Sequence, residues 1–238
     1  MEDLWFEEEL VPNESTIEEV VKSSPSKDSE INQQVRSEMR GILRVNRPRG
    51  RQLNQQEKDS LLMSGKKADF YLVRLGFQFD ITPKAREHGY CFVEGRCSAR
   101  LDPAQSGQPQ PTVYEVIPRD HYKGKPCMMG VKISPTIQLG MIQAEIGEVS
   151  QEISVGYVET EIVGWSGDNE CEPYWELRPQ SHNLKGERHL WLIVEAPLGC
   201  SGVLLGAKAE GILRSRLFGL FHVGPRISHW NKRRKILI

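Results

Sequence analysis

From about residue 68 onward, apolar and polar residues alternate along the chain, as in strands that bury one face. The clearest segment is 69–81, where apolar side chains occupy alternate positions from Tyr71 to Phe79 and Arg74, Gln78 and Asp80 lie on the other face. The segment 88–101 repeats this alternation. Further strands are predicted over 113–117, 127–133, 153–163, 174–177, 189–195 and 203–221, the last containing glycines at which it would bend or turn.

These strands predict a mainly β fold, because no long helical pattern separates them. Parallel strands would need crossovers of about a dozen residues or more, and the chain leaves little room for them. We therefore predict an antiparallel β-sandwich, or a barrel-like domain, over 67–225. The segments 174–177 and 190–194 are expected to be neighbouring strands.

Residues 1–28 are predicted to form an acidic, largely flexible N-terminal tail. Large apolar residues stand among its acids, and such segments often become ordered on a partner. Packing of the same residues on the chain's own domain is the alternative. A capping-box pattern at 15–18 predicts a short helix. The candidate docking residues of the tail are Leu4, Trp5, Phe6 and Leu10.

Residues 29–66 are predicted to form short helical segments. Apolar residues recur at helical spacing over 31–43, beginning with Ile31, Val35 and Met39, and Pro48 would end this helix. A row of arginines at four-residue intervals flanks that apolar face. The helix would pack on the protein's own body, lie in a partner's groove or meet an anionic surface. A further short helix is predicted over 53–63, with Gly65 following it.

Charge is strongly segregated although the whole chain carries a net charge of only -1. Residues 1–35 hold ten acids and two bases, a net of −8, so the remainder carries +7. We expect the acidic arm to contact the basic segments, because tethering raises its effective concentration. A basic C-terminal tail is predicted over 226–238. The candidate nucleic-acid-binding residues are Arg36, Arg40, Arg44, Arg47, Arg49, Arg51, Lys232, Arg233, Arg234 and Lys235.

The sequence lacks the common catalytic motifs. It contains no G-x-S-x-G, no P-loop, no H-E-x-x-H and no Rossmann glycine pattern. Its five cysteines are an odd number without C-x-x-C spacing, which favours small buried thiols over disulfides or a metal site. We therefore predict no enzymatic activity, no metal and no cofactor. Trp165, Trp175 and Trp191 are interpreted as core residues or as an aromatic platform for bases or sugars.

Composition excludes a chain disordered throughout, since 38% of the residues are hydrophobic. No apolar run approaches the roughly 18 residues of a membrane span, and the acidic start differs from a secretory signal. We therefore expect a soluble, cytoplasmic protein.

Two functions remain open. The first is a non-enzymatic adaptor, in which the β body and the N-terminal arm engage a protein partner or a larger complex. The second is nucleic-acid binding through the basic segments. A β-sandwich hydrolase is a distant third. Sequence patterns do not fix the oligomeric state.

Overall fold

The computed structural model describes residues 4–12, 14–23, 40–61, 63, 65–119, 160–166, 170–179, 183–215, 219–225 and 233–236. Within these residues, twelve strands form one sheet and three short helices lie beside it. The strands are β1 (Leu4–Pro12), β2 (Gly41–Asn46), β3 (Arg49–Gln52), β4 (Ala68–Ile81), β5 (Cys91–Pro103), β6 (Thr112–Ile117), β7 (Thr160–Trp165), β8 (Tyr174–Pro179), β9 (Gly186–Pro197), β10 (Val203–Ser215), β11 (Gly219–Pro225) and β12 (Arg233–Ile236). The helices are α1 (Glu14–Ser23), α2 (Gln55–Ser60) and α3 (Pro83–Glu87).

The sheet is antiparallel and nearly closed into a barrel, which confirms the mainly β, antiparallel prediction. Its strand order is β6-β9-β4-β2-β1-β11-β10-β5-β8-β7, with β3 also on β4 and β12 also on β10. At the seam between the two end strands, the Gly164 amide donates to the Arg119 carbonyl at 2.8 Å. A Cβ atom at Gly164 would lie 2.5 Å from the Pro118 carbonyl oxygen, so glycine permits this close approach.

The main core fills the inside of the curved sheet with alternate side chains of its strands, as the pleat requires. Among the fully buried residues are Phe77 and Phe79 of β4 and Trp175 of β8. A smaller apolar layer lies outside β4, where Phe70 and Leu72 are also buried. Helix α2 begins beside this layer with a capping box formed by Asn54 and Glu57. This cover explains why both faces of β4 are apolar near its start.

The N-terminal segment is part of the sheet. Strand β1 lies between β2 and β11, and its Phe6 and Leu10 belong to the core. The prediction of a flexible tail is therefore wrong over Leu4–Pro12, because backbone pairing on both edges and burial of these side chains hold the strand. The helix predicted near 15–18 is present as α1, but it begins at Glu14, before the expected cap Ser15.

The helix predicted over 31–43 is wrong at its C-terminal end. Gly41–Asn46 forms β2, paired with β1 on one edge and β4 on the other. Leu43 and Val45 are buried on one face of this strand, whereas Arg44 lies on the other. Residues 31–39 lie outside the described residues. The sheet therefore begins well before residue 67. The short helix predicted over 53–63 is confirmed as α2.

Most of the other predicted strands are present with shifted ends. The segment 88–101 begins as a turn after α3 before becoming β5, and 203–221 divides into β10 and β11. The segment 127–133 lies outside the described residues. The expected pairing of 174–177 with 190–194 is wrong, since β8 pairs with β5 and β7 while β9 pairs with β4 and β6. No described helix has the length and apolar content that a membrane crossing demands.

Candidate binding surface on the outer face of the sheet

Most of the predicted docking residues of the N-terminal segment pack in the chain's own core. Phe6 and Leu10 are buried, and Trp5 packs edge-on against Phe6 with ring centroids 5.1 Å apart. Leu4 is the exception, with 46% of its surface exposed. Ile31, Val35 and Met39 lie outside the described residues. In β1, therefore, the apolar side chains mainly hold the segment to its own fold.

Several of the predicted nucleic-acid-binding arginines have carboxylate partners. Arg40 pairs with Glu9 at 2.8 Å, and Arg44 pairs with Glu7 at 2.7 Å. Arg44 also contacts Asp80 on the other neighbouring strand. The expected contact between the acidic segment and the arginines is thus present, but as ion pairs between adjacent strands of the sheet. These pairs reduce the positive charge that Arg40 and Arg44 would offer to phosphates.

The remaining basic candidates lie at separate places. Arg51 pairs with the buried Glu57 at 3.0 Å, whereas Arg47 and Arg49 are exposed near β3. Arg36 and Lys232 lie outside the described residues. Arg233, Arg234 and Lys235 belong to β12, whose backbone pairs with β10 at Leu204, Leu205 and Gly206. Because β3 lies on β4 and β12 on β10, the strand pairing does not place these two segments side by side.

A different group of side chains comes together on the outer face of β7, β8, β5 and β10. Strand register places Trp165 opposite Tyr174, and Tyr174 opposite Ser98. In the next row, Arg96 lies between Glu176 on β8 and Glu210 on β10. Two rows of side chains, one aromatic and one charged, therefore run across this face.

Trp165, Tyr174 and Arg96 form a continuous stack across three strands. The Trp165 and Tyr174 rings are 4.9 Å apart at an interplanar angle of 22°. On the other neighbouring strand, the Arg96 guanidinium carbon lies 3.8 Å from the Tyr174 ring centroid. Trp165 remains 39% exposed. We call these three residues the stack, and the Trp165 indole and the Arg96 guanidinium form its two exposed ends.

Beside the stack lies a cavity of about 260 Å³, which we call the charged hollow. It lies over β8, β5, β10 and β11, with the backbone of Gly95 and Gly211 contributing to its lining. Charged or titratable side chains make up most of the remaining lining. They are Glu94, Arg96, Glu176, Arg178, Glu210 and His222.

The charges in the hollow are unevenly paired. Arg178 donates to Glu176 at 2.6 Å. Arg96 has carboxylates opposite it on both neighbouring strands, yet its guanidinium lies over the Tyr174 ring. The carboxylates of Glu94 and Glu210 are exposed and make no hydrogen bond or ion pair within the described part of the chain. All four side chains are exposed, but each arginine has a contact within the chain, whereas the carboxylates of Glu94 and Glu210 have none among the described residues.

The four described cysteines are free thiols. Cys97 is fully buried, and burial raises its pKa well above the ordinary value, so it is a protonated core thiol. Burial, reinforced by Glu172, also raises the pKa of Cys171. The described residues contain no cluster of three histidines, cysteines or acids that could hold a metal ion.

The sequence left two roles open for three tryptophans, core packing or an exposed aromatic platform. Trp175 and Trp191 are buried and belong to the core interpretation, whereas Trp165 is the exposed one. The sequence carried one overlooked signal. Tyr174 and Trp175 are adjacent in a strand, so they must point to opposite faces, and only one of them can enter the main core.

No protein-family model matches the chain, and no curated protein matches it. Among solved structures, the chain is similar to a pore-forming protein at 6% identity and a TM-score of 0.35, covering 83% of this chain and 84% of that one. Clostridium perfringens delta-toxin gives 6% identity and a TM-score of 0.36, with 83% and 88% covered. The collagen binding domain of the Erysipelothrix rhusiopathiae surface protein RspB gives 5% identity and 0.28, with 86% and 64% covered. Likenesses at these TM-scores carry no argument about function.

Proposed function

We propose that the chain is a non-enzymatic binding protein whose β body engages a protein partner through the stack and the charged hollow. The observation that supports this most is the contiguous, partly exposed group of Trp165, Tyr174 and Arg96. Tryptophan, tyrosine and arginine are the residue types most enriched among those that dominate binding energy at protein interfaces.

Preorganisation adds to this support. All three side chains of the stack rise from hydrogen-bonded strands, and Tyr174 is held between its two neighbours. Ordering a flexible side chain on binding costs about 0.5–1.5 kcal/mol, so a group that is already ordered loses less on association. A surface of this kind suits a β body that acts as a rigid binding element.

Nucleic-acid binding receives less support as the alternative function. Arg40, Arg44 and Arg51 each have a carboxylate partner, which opposes their use as phosphate contacts. Arg49 is exposed, so nucleic-acid binding can still be tested as the alternative. Measuring the salt dependence of binding to a duplex would show whether several phosphate contacts form.

The test of the proposal is quantitative capture of binding proteins on the immobilised full-length chain, followed by titration of each recovered protein. Replacing Trp165 with alanine should weaken binding of the true partner about 30-fold. This corresponds to a loss of about 2 kcal/mol in binding free energy, as expected for a residue that dominates an interface. The matched control is Leu198→Ala, because Leu198 is 63% exposed in the turn between β9 and β10. Equal affinity of wild type and Trp165→Ala for every recovered protein would refute the proposal.

A further inference from the structure

We infer that the protein partner inserts a cationic side chain, arginine or lysine, into the charged hollow between Glu94 and Glu210. This inference rests on the proposed function and names the chemistry of the partner. It follows from which charged side chains of the hollow already have a partner within the chain and which do not.

The positive groups of the hollow are engaged within the protein. Arg178 donates to Glu176 at 2.6 Å, and the Arg96 guanidinium carbon lies 3.8 Å from the Tyr174 ring centroid. An anionic partner would have to compete with the first contact and would face Glu94 and Glu210 as well. Like charges brought together at an interface disfavour the wrong partner. The hollow therefore discriminates against an acidic segment.

The two carboxylates without such a partner, those of Glu94 and Glu210, lie close to each other. Glu210 is opposite Arg96, and Glu94 is opposite Ile212 two residues further along β10, so the two acids are diagonal neighbours across β5 and β10. Diagonal neighbours of this kind are roughly 7–8 Å apart. One guanidinium or ammonium group placed between them would reach both carboxylates through charge-assisted hydrogen bonds.

The adjoining stack suits the same class of partner. The exposed indole of Trp165 offers a face on which a second cation or a planar side chain would lie. A short basic segment would thus find carboxylates in the hollow and an aromatic surface beside it. Arginine fits both features, because its guanidinium binds carboxylates bidentately and stacks on rings.

The test uses the full-length chain and three capped decapeptides in which glycine alternates with arginine, citrulline or glutamate. Citrulline keeps the planar side chain and removes its charge. Binding is measured by calorimetry at low ionic strength, where charge contacts are least screened. We expect the arginine peptide to bind at least 10-fold more tightly than the citrulline peptide, and the glutamate peptide not to bind.

The double variant Glu94→Gln/Glu210→Gln should lose at least 10-fold in affinity for the arginine peptide. The matched control is Glu87→Gln/Glu170→Gln, which removes two exposed acids outside the hollow and should change the affinity less than twofold. Equal thermal unfolding midpoints of the two double variants will show that both remain folded.

Equal binding of the arginine peptide to wild type and Glu94→Gln/Glu210→Gln overturns the inference, and so does binding of none of the peptides. Failure here is distinct from failure of the proposed function. If a captured protein lost affinity for Trp165→Ala but not for Glu94→Gln/Glu210→Gln, the proposed binding surface would stand. The insertion of a cationic side chain into the hollow would then be excluded.

Discussion

Replacing Leu10 with alanine should lower the free energy of unfolding by about 2–5 kcal/mol, the usual cost of truncating a buried leucine. Leu10 has 0% of its surface exposed and lies in the main core, on a strand paired with both β2 and β11. Truncation removes its contacts and leaves a cavity that neighbouring strands fill only in part. Urea denaturation followed by tryptophan fluorescence measures the change.

Leu4→Ala is the matched control for Leu10→Ala, because Leu4 lies on the same strand and is 46% exposed. Its effect should stay within about 0.5 kcal/mol. If both variants unfolded at the wild-type urea midpoint, β1 would not be part of the folded body, and the flexible arm expected from the sequence would be the correct description.

Replacing Glu57 with alanine should destabilise the fold by about 3 kcal/mol, since it leaves the partly buried charge of Arg51 without its carboxylate partner. Glu57 is 1% exposed and accepts hydrogen bonds from Arg51 at 3.0 Å and from the Asn54 amide at 2.7 Å. The substitution removes the carboxylate that compensates the partly buried Arg51 guanidinium. It also removes half of the capping box that begins α2.

Glu57→Gln separates these two contributions, because an amide oxygen still accepts from the Asn54 amide but carries no charge. We expect it to lose about 1–2 kcal/mol, which is less than the alanine variant. Thermal and urea unfolding of both variants provide the comparison. A loss below about 1 kcal/mol for Glu57→Ala would show that the Arg51–Glu57 pair adds little to stability.

The body of the sheet is predictable because alternation records which face of a strand is buried. The segment that became β4 shows this, since Val73, Leu75 and Phe77 occupy alternate positions and all enter the core. Strand β1 escaped prediction because the run Glu7–Glu9 resembles a solvated tail. Two of those acids are in fact neutralised by Arg40 and Arg44, which the chain brings beside them only after folding.

The segment that became β2 is ambiguous for a related reason. The apolar residues Ile42 and Leu43 continue a helical pattern, yet Leu43 and Val45 also satisfy the two-residue period of a strand. Pairing with β1 and β4 decides between them, and that pairing is tertiary information.

The stack could not be predicted from local pattern at all. Trp165, Tyr174 and Arg96 lie on three different strands, and they meet only because β8 is placed between β7 and β5. Alternation gives the face of each residue but not the order of the strands. The sequence therefore contained the residue types of the candidate surface without indicating that they are neighbours.

The most direct test of the proposed binding surface is hydroxyl-radical footprinting of the free chain and of its complex with the captured partner. Mass spectrometry follows the oxidation of Trp165 and Tyr174, with Leu198, which is exposed in the turn between β9 and β10, as the reference. The proposal predicts at least fivefold slower oxidation of Trp165 in the complex and an unchanged rate at Leu198. Oxidation of Trp165 at the same rate in the free chain and in the complex would contradict it.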